Sequence, residues 1–409
     1  MTRAVFVAVQ ASAFVLGMAA AVHAQSSPDP TATPWTDAKI KMGPIFFNPA
    51  FNLKDVGVDQ NVFDDPQFPK RDITGTLAMT SLGGLHFGDT LMLLINQETS
   101  YVWYRRYRSE RSIDGALGGI LELRTGLIHP WLRIANLKTH ARTGYEIDAR
   151  AGRTLPSYEL GSDLHFGPRL GATVAYTHNQ VTYAPGEMFD NVDLPTALNS
   201  TSTSYRVAGR YDLSAFTDLV GGAQQSQENF QTETIKNSTS RYYFGGFEAK
   251  HDAIISGGAT IGYRIQQHQD PTVPSYRGLV GSGDVSFVVK DRAKFELTGN
   301  RDLGDSYEAQ YPFYIQQGVG VNATTRWAEH VDMVTNATAE WLLYRLVING
   351  PPAPRTDRNY VFDLGFGYFL GGVNGTRVGF TIERRERRSP IAANTYHTTR
   401  LLTNLKFSF

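Results

Sequence analysis

Large apolar residues fall on every second position through most of this chain. In TRVGFTIER, Val378, Phe380 and Ile382 alternate with Arg377, Gly379, Thr381 and Glu383. In NYVFDLGFGYFL, Tyr360, Phe362, Leu364, Phe366, Tyr368 and Leu370 alternate with Val361, Asp363, Gly365 and Gly367. VDMVTNATAEWLL sets Val331, Met333, Ala337, Ala339, Trp341 and Leu343 against Asp332, Asn336, Thr338 and Glu340. Upstream, Tyr205, Val207, Tyr211 and Leu213 oppose Arg206, Arg210 and Asp212. Side chains of a strand point alternately to its two faces, so each segment is predicted as a strand with one apolar and one polar face.

The segments run about 9 to 14 residues, enough for a tilted strand to cross a bilayer. Their connectors alternate in size. Short ones include FGDT (87–90), FGPR (166–169), SAFTD (214–218), KDRAK (290–294) and GGVNGT (371–376). Long polar ones include 64–72, 184–201, 229–240 and 349–358. The tetrapeptide LHFG occurs at 85–88 and 164–167, each time ahead of a short turn, with Leu and Phe outward and His inward. Short turns at one end and long loops at the other mark an outer-membrane barrel. Counting predicts about 18 strands, with 16 allowed because residues 90–150 shift phase as bulges would.

A soluble sandwich or propeller would have to bury every apolar face against another. It would have no need of aromatic residues near strand ends, where Phe87, Tyr183, Tyr243, Phe295, Tyr311, Phe313, Trp341, Tyr360 and Phe409 fit two interfacial belts. Hydrocarbon tolerates no open strand edge, so the sheet has to close. The expected fold is all-β: a transmembrane antiparallel β-barrel of the bacterial outer membrane.

The N-terminus agrees with that location. Arg3 precedes an apolar run, Ala4 to Val22, ending in Val22-His23-Ala24. This is the pattern of a secretory signal peptide cleaved after Ala24. The expected organisation is signal peptide 1–24, a flexible periplasmic segment 25–41 and a barrel over 42–409. The chain has no cysteine, so neither disulfides nor thiolate metal sites arise. With 39 acidic and 39 basic residues, it lacks the positive excess of a protein that holds nucleic acid by charge. Aromatics at 12% and 39 glycines suit a β-protein with many turns.

Two stretches carry resemblances. The last ten residues, RLLTNLKFSF, put Phe409, Phe407 and Leu405 on the apolar face. They resemble the C-terminal signal of bacterial outer-membrane proteins, which implies the barrel-assembly machinery as a partner. IFFNPAFNLKDVGVDQNVFDD (45–65) is similar to a family of β-barrel porins often encoded beside exopolysaccharide genes. There the first strand runs through an apolar-Pro segment into a D-x-N-V-F-like loop, matched here by Pro49, Asp59, Asn61, Val62 and Phe63. Gln60 departs from the pattern, which favours a second small polar residue. The resemblance implies barrel fold and outer-membrane location.

The polar faces hold the candidate chemistry. Arg206, Arg210, Asp212, Arg264, Asp284, Lys290, Lys294, Glu296, Arg326, Asp332, Glu340, Asp363, Arg377, Glu383, Arg400 and Lys406 are expected to line the lumen. Such a wall is either an aqueous pore that selects solutes by charge or a self-paired interior. The first reading is a porin-like channel for passive or weakly selective diffusion of small polar solutes, saccharides among them. The alternative is a structural or secretion barrel of an exopolysaccharide export system. YVWYRRYRSER (101–111) and ERRERRSP (383–390) fit either an anion-binding rim or strand ends that meet outer-membrane lipid and the phosphates of lipopolysaccharide. Ten scattered histidines without zinc spacing, and no G-x-S-x-G elbow, point to no enzyme, metal or cofactor.

Removing Phe409, or replacing it with Ser, is expected to lower the yield of folded barrel. Heat-modifiable mobility on denaturing gels reads this directly, and unchanged mobility would make the terminal ring ordinary interfacial packing.

Overall fold

The computed structural model describes residues 38–249, 255–289, 292–328, 330–348, 355–370 and 376–408. Eighteen antiparallel strands close a barrel. The first six are β1 (Ile45–Asp59), β2 (Asp72–Phe87), β3 (Leu91–Tyr104), β4 (Ser112–Leu123), β5 (Ile128–Thr139) and β6 (Arg153–His165). The next six are β7 (Leu170–Tyr183), β8 (Ser200–Asp212), β9 (Thr217–Phe230), β10 (Ser238–Ala249), β11 (Ile255–His268) and β12 (Tyr276–Val289). The last six are β13 (Ala293–Asp305), β14 (Phe313–Ala328), β15 (Val331–Arg345), β16 (Thr356–Leu370), β17 (Thr376–Arg388) and β18 (Tyr396–Ser408). A short strand, Ile40–Met42, folds back on the start of β1.

Each strand pairs with its neighbours in sequence, and β1 also pairs with β18, from Ala50 opposite Ser408 to Asp59 opposite Arg400. This seam is the costliest contact in sequence separation. It contains a register shift between Leu53 and Val56. There Asp55 adopts a left-handed φ of 57°, and its backbone N–H donates to Asn404 Oδ1 at 2.8 Å instead of to a ladder carbonyl. Beside it, a Cβ on Gly57 would lie 1.8 Å from the Leu401 carbonyl oxygen. Only glycine permits the two strands to meet there.

The alternation in sequence becomes two faces. Tyr205, Val207, Ile261, Leu279, Val319, Phe362 and Tyr368 are large, apolar and exposed on the outer face, where hydrocarbon rather than water surrounds them. Between them, Ala208, Arg264, Val280, Val361 and Phe369 are buried on the inner face. The connections after β2, β4, β6 and β8 are brief (88–90, 124–127, 166–169, 213–216), whereas 60–71, 140–152 and 184–199 lie at the opposite end. Both LHFG copies close strands at the short-turn end, and the rings of His165 and His129 stand 4.4 Å apart on the inner side.

Two expectations need correction. Strands β3, β4 and β5 run in unbroken register, so the break in pattern within 90–150 comes from 140–152, which is no strand, and the register shifts lie outside that stretch, at the seam and between Arg326 and Ala328. The aromatic belts also lose members. Tyr183 and Tyr311 are buried at 3% and 5% exposure and Phe313 at 2%. Tyr183 falls in the inward phase of β7, and the other two lie where the hairpin β13–β14 bends into the barrel. Phe87 and Tyr243 do face outward, exposed. Lys290 and Phe409 lie outside the described residues, as does the side chain of Phe407. Leu405 pairs with Leu53 and Val378 on the outer face.

Gly57→Ala is expected to cost about 3 kcal/mol, the upper range for overpacking, and to deplete the heat-modifiable folded form. Gly126→Ala, where an added Cβ meets nothing within 4 Å, serves as the control and should fold normally.

Candidate functional site: a charged lumen with in-folded loops at its mouth

The expected lumen residues stand on the inner face wherever they are described, and most are paired. Arg377 forks onto Asp332 at 2.7 and 2.8 Å. Arg400 bridges Asp59 at 2.8 Å and Glu383 at 3.2 Å, and Glu383 also holds Arg385 at 2.6 Å. Arg264 meets Asp302 at 2.6 Å. Arg210 lies 3.5 Å from Asp212 and 3.9 Å from Asp218. Lys294 bonds Glu296 at 3.3 Å, Asn336 donates to Asp363 at 2.8 Å, and Gln316 donates to Glu340. Arg206 and Arg326 sit over the inward rings of Phe244 and Phe369, at 4.6 and 5.6 Å. Asp284 is solvent-exposed on the same face as buried Val280 and Ser286, so that stretch of wall borders open space.

Phase alone assigns β17 and β18 a net positive patch from Arg377, Arg400 and Lys406 against Glu383. The fold adds Asp59 and Asp332 to it from β1 and β15, and both guanidinium groups are neutralised. Lys406 alone keeps no carboxylate among the described residues.

The long-loop end is filled from within. The pairing of β12 with β13 stops at Gly281 and Arg301, freeing the tip of hairpin β13–β14 to tilt inward. Its outer-face residues Leu303, Phe313 and Ile315 then pack on the inner-face Tyr276 and Val280 of β12. Loops close over the tip: Ile348 N–H donates to Thr272 O at 2.7 Å, and Val347 N–H to Gln310 O at 3.1 Å. Segment 140–152 folds in beside the tip. Ile147 and Ala151 pack with Tyr183, Phe230 and Tyr307, and with Leu194, Ala197 and Leu198 of a short helix, α1 (Leu194–Leu198).

Buried charge holds these pieces to the wall. Asp357 of β16, fully buried, accepts two bonds from Arg355 at 3.0 and 2.9 Å, one from Arg387 at 2.6 Å and one from Ser389 at 2.7 Å. Arg387 of β17, 1% exposed, also bonds the Asp148 carboxylate and the Glu146 carbonyl, the latter at 3.1 Å. Arg355 bonds Glu308 of the hairpin tip and stacks 4.0 Å over Tyr344. Arg142 ties the segment to the first loop through Asp64 and the Val62 carbonyl. Lys236, 1% exposed, donates to the carbonyls of Ala197 and Ser306 at 2.9 and 2.7 Å. One wall cluster thus latches two in-folded segments. Breaking a buried pair on one side costs several kcal/mol, since the partner charge stays behind.

A family model described as "Putative beta-barrel porin 2" matches residues 165–409. The chain belongs to this β-barrel porin family. No curated protein matches it in sequence. Among solved structures, it is similar to OccAB3 of Acinetobacter baumannii at 13% identity, covering 89% of this chain and 99% of that one with a TM-score of 0.50. OccK2 (OpdF) of Pseudomonas aeruginosa, solved in complex with glucuronate, matches at 12% identity over 89% and 98%, TM-score 0.51. A BenF-like porin from Pseudomonas fluorescens Pf-5 matches at 11% over 89% and 99%, TM-score 0.50. At these identities the likeness is one of fold. The porin family and its barrel place this chain in the outer membrane as a non-enzymatic channel.

Reading the sequence missed the latch of this porin. Asp357, Arg355, Asp148 and Glu308 sit in or beside long connectors, where no period marks them. Arg387 was within reach, because alternation through ERRERRSP sends Arg385 and Arg387 inward and Arg384 and Arg388 outward. The stretch is therefore two half-sites on opposite faces. In YVWYRRYRSER, Tyr101 and Trp103 alternate with inward Tyr104; Arg111 then crosses back, donating to the Tyr104 carbonyl at 2.9 Å.

The latch titrates. Burial pushes the Glu146 carboxyl up to about 8 from an ordinary 4.5, with the bond from Ser306 opposing. Asp148 is raised in the same direction by its burial. A raised acid favours the docked, protonated state: stability is full below pH 4.5 and is lost as pH rises through about 8. Exchange-competent opening of 140–152, read by hydrogen–deuterium exchange corrected for intrinsic rates, should increase by up to roughly tenfold per pH unit between those limits. Glu146→Gln should flatten that dependence.

Proposed function

We propose that this porin is a diffusion channel for small polar solutes, uncharged saccharides included, whose size limit is set by the in-folded segments at its long-loop mouth. The observation that carries the reading is the latch, in which Asp357, Arg355 and Arg387 hold segment 140–152 and the hairpin tip inside the barrel. A closed barrel of this strand number leaves an aqueous lumen, and a wall of alternating guanidinium and carboxylate pairs offers hydrogen bonds to hydroxyls without a strong bias of sign. An export barrel for a polymer needs a mouth wide enough for a chain in transit. A braced plug supports the small-solute reading over that one.

Liposome swelling tests it. Proteoliposomes should swell with a monosaccharide and much more slowly with a trisaccharide. Arg387→Ala removes the guanidinium that joins the Asp148 carboxylate to Asp357 and leaves Asp357 to Arg355 and Ser389. It should speed trisaccharide entry and raise single-channel conductance several-fold, while the barrel keeps its heat-modifiability because the ladder bonds are untouched. No swelling and no conductance, in wild type and variant alike, would overturn the channel reading in favour of a structural or export barrel.

A further inference from the structure

The outer face of the barrel carries a second charged feature, on one half only. Within five residues of the long-loop end, outward positions on β10, β12, β13, β15, β16 and β17 hold Arg241, Arg277, Arg301, Arg345, Arg358, Arg384 and Arg388. The matching positions on β1 to β9 hold apolar, aromatic and uncharged polar residues and a single cation, Lys138. Inside the barrel nearly every arginine has a carboxylate partner. Outside, among the described residues, only Arg388 has one, Glu386 at 2.6 Å. Arg384 and Arg301 donate only to Thr399 Oγ1 and the Leu279 carbonyl.

Two details turn this rim into a site. Arg358 and Arg388 are direct cross-strand partners, and like charges placed opposite each other repel unless an anion lies between them. Directly below, a groove of about 410 Å³ opens on the lipid face, lined by Val319, Val321, Ala337, Ala339 and Phe362, with Arg384 and Glu386, the partner of Arg388, at its lip. The small side chains of Ala337 and Ala339 make the hollow, and the larger neighbours wall it. A site with guanidinium groups at the level of the headgroups and an apolar trough beneath them takes an amphiphile with an anionic head. Arginine forks suit phosphate, and the long loops place this rim in the outer leaflet.

We propose that β14 to β17 form a binding site for the phosphorylated, multiply acylated glycolipid of the outer leaflet. One phosphate bridges Arg358 and Arg388, with Arg384 alongside, and one acyl chain lies in the groove below. The site is independent of conduction through the lumen.

Native mass spectrometry of the purified barrel tests it, with bis-phosphorylated lipid A, the same lipid after phosphatase treatment, and phosphatidylglycerol as probes. Wild type should retain lipid A at least tenfold better than either other probe, and added salt should weaken the binding. Arg358→Gln, Arg384→Gln and Arg388→Gln, combined and singly, should each lose retention, tenfold or more when combined. Ala339→Trp, which fills the groove, should weaken retention several-fold and leave the salt dependence of what remains unchanged. Lys138→Gln should behave as wild type. Heat-modifiability reports folding throughout, and the single substitutions carry the test if the combined one folds poorly. Equal retention of phosphatidylglycerol, or retention indifferent to the arginine substitutions, would overturn the proposal.

Discussion

Inside a bilayer no water is present to satisfy a peptide group, and that constraint organises this molecule. Each strand must bond both neighbours, so the first strand must find the last. The seam between β1 and β18 is where the requirement is hardest to meet. Its register slips at Asp55, which takes a left-handed conformation and turns its N–H to Asn404. Gly57 lets the Leu401 carbonyl approach closer than any side chain would allow. Once the ring is closed, outward apolar residues and inward polar ones follow from strand geometry, and the inner wall can afford charge because it no longer faces lipid.

The inner wall uses that freedom in two ways. Along the barrel, guanidinium and carboxylate groups from strands one or two apart neutralise each other, as Arg400 does with Asp59 and Glu383 and Arg377, across β16, with Asp332. At the long-loop end the same chemistry becomes structural, since Asp357 gathers Arg355 and Arg387, and these reach Glu308 and Asp148 on segments that have left the wall. Packing supports the arrangement through Ile147, Leu194, Phe230 and Tyr307. Charge gives the position and apolar contact gives the fit, so a carboxyl such as Glu146 is buried deeply enough to hold its proton near neutrality. A mouth built this way is expected to respond to pH through its own packing.

Arginine plays opposite parts on the two faces of one strand. On β17, Arg385 and Arg387 are paired inside, whereas Arg384 and Arg388 stand exposed on the outer face, Arg388 beside Glu386. A run such as ERRERRSP reads as one basic cluster until alternation divides it.

The chain's own pattern determined the strands, their faces, the barrel and its membrane, because period-two alternation is a local property that each segment carries alone. It also placed Arg206, Arg264, Asp332 and Arg400 on the polar face, since phase within a strand needs no knowledge of neighbours. Tertiary structure decided who pairs with whom. That Asp59 neutralises Arg400 depends on closure between the two ends of the chain, and that Asp332 neutralises Arg377 depends on three strands meeting in register. The burial of Tyr311 and Phe313 depends on a hairpin that breaks from its neighbour and tilts inward. The latch at Asp357 joins residues more than two hundred positions apart through loops without periodicity. Such contacts exist only after the ring has closed and the loops have somewhere to fold, so no local signal in the sequence could announce them.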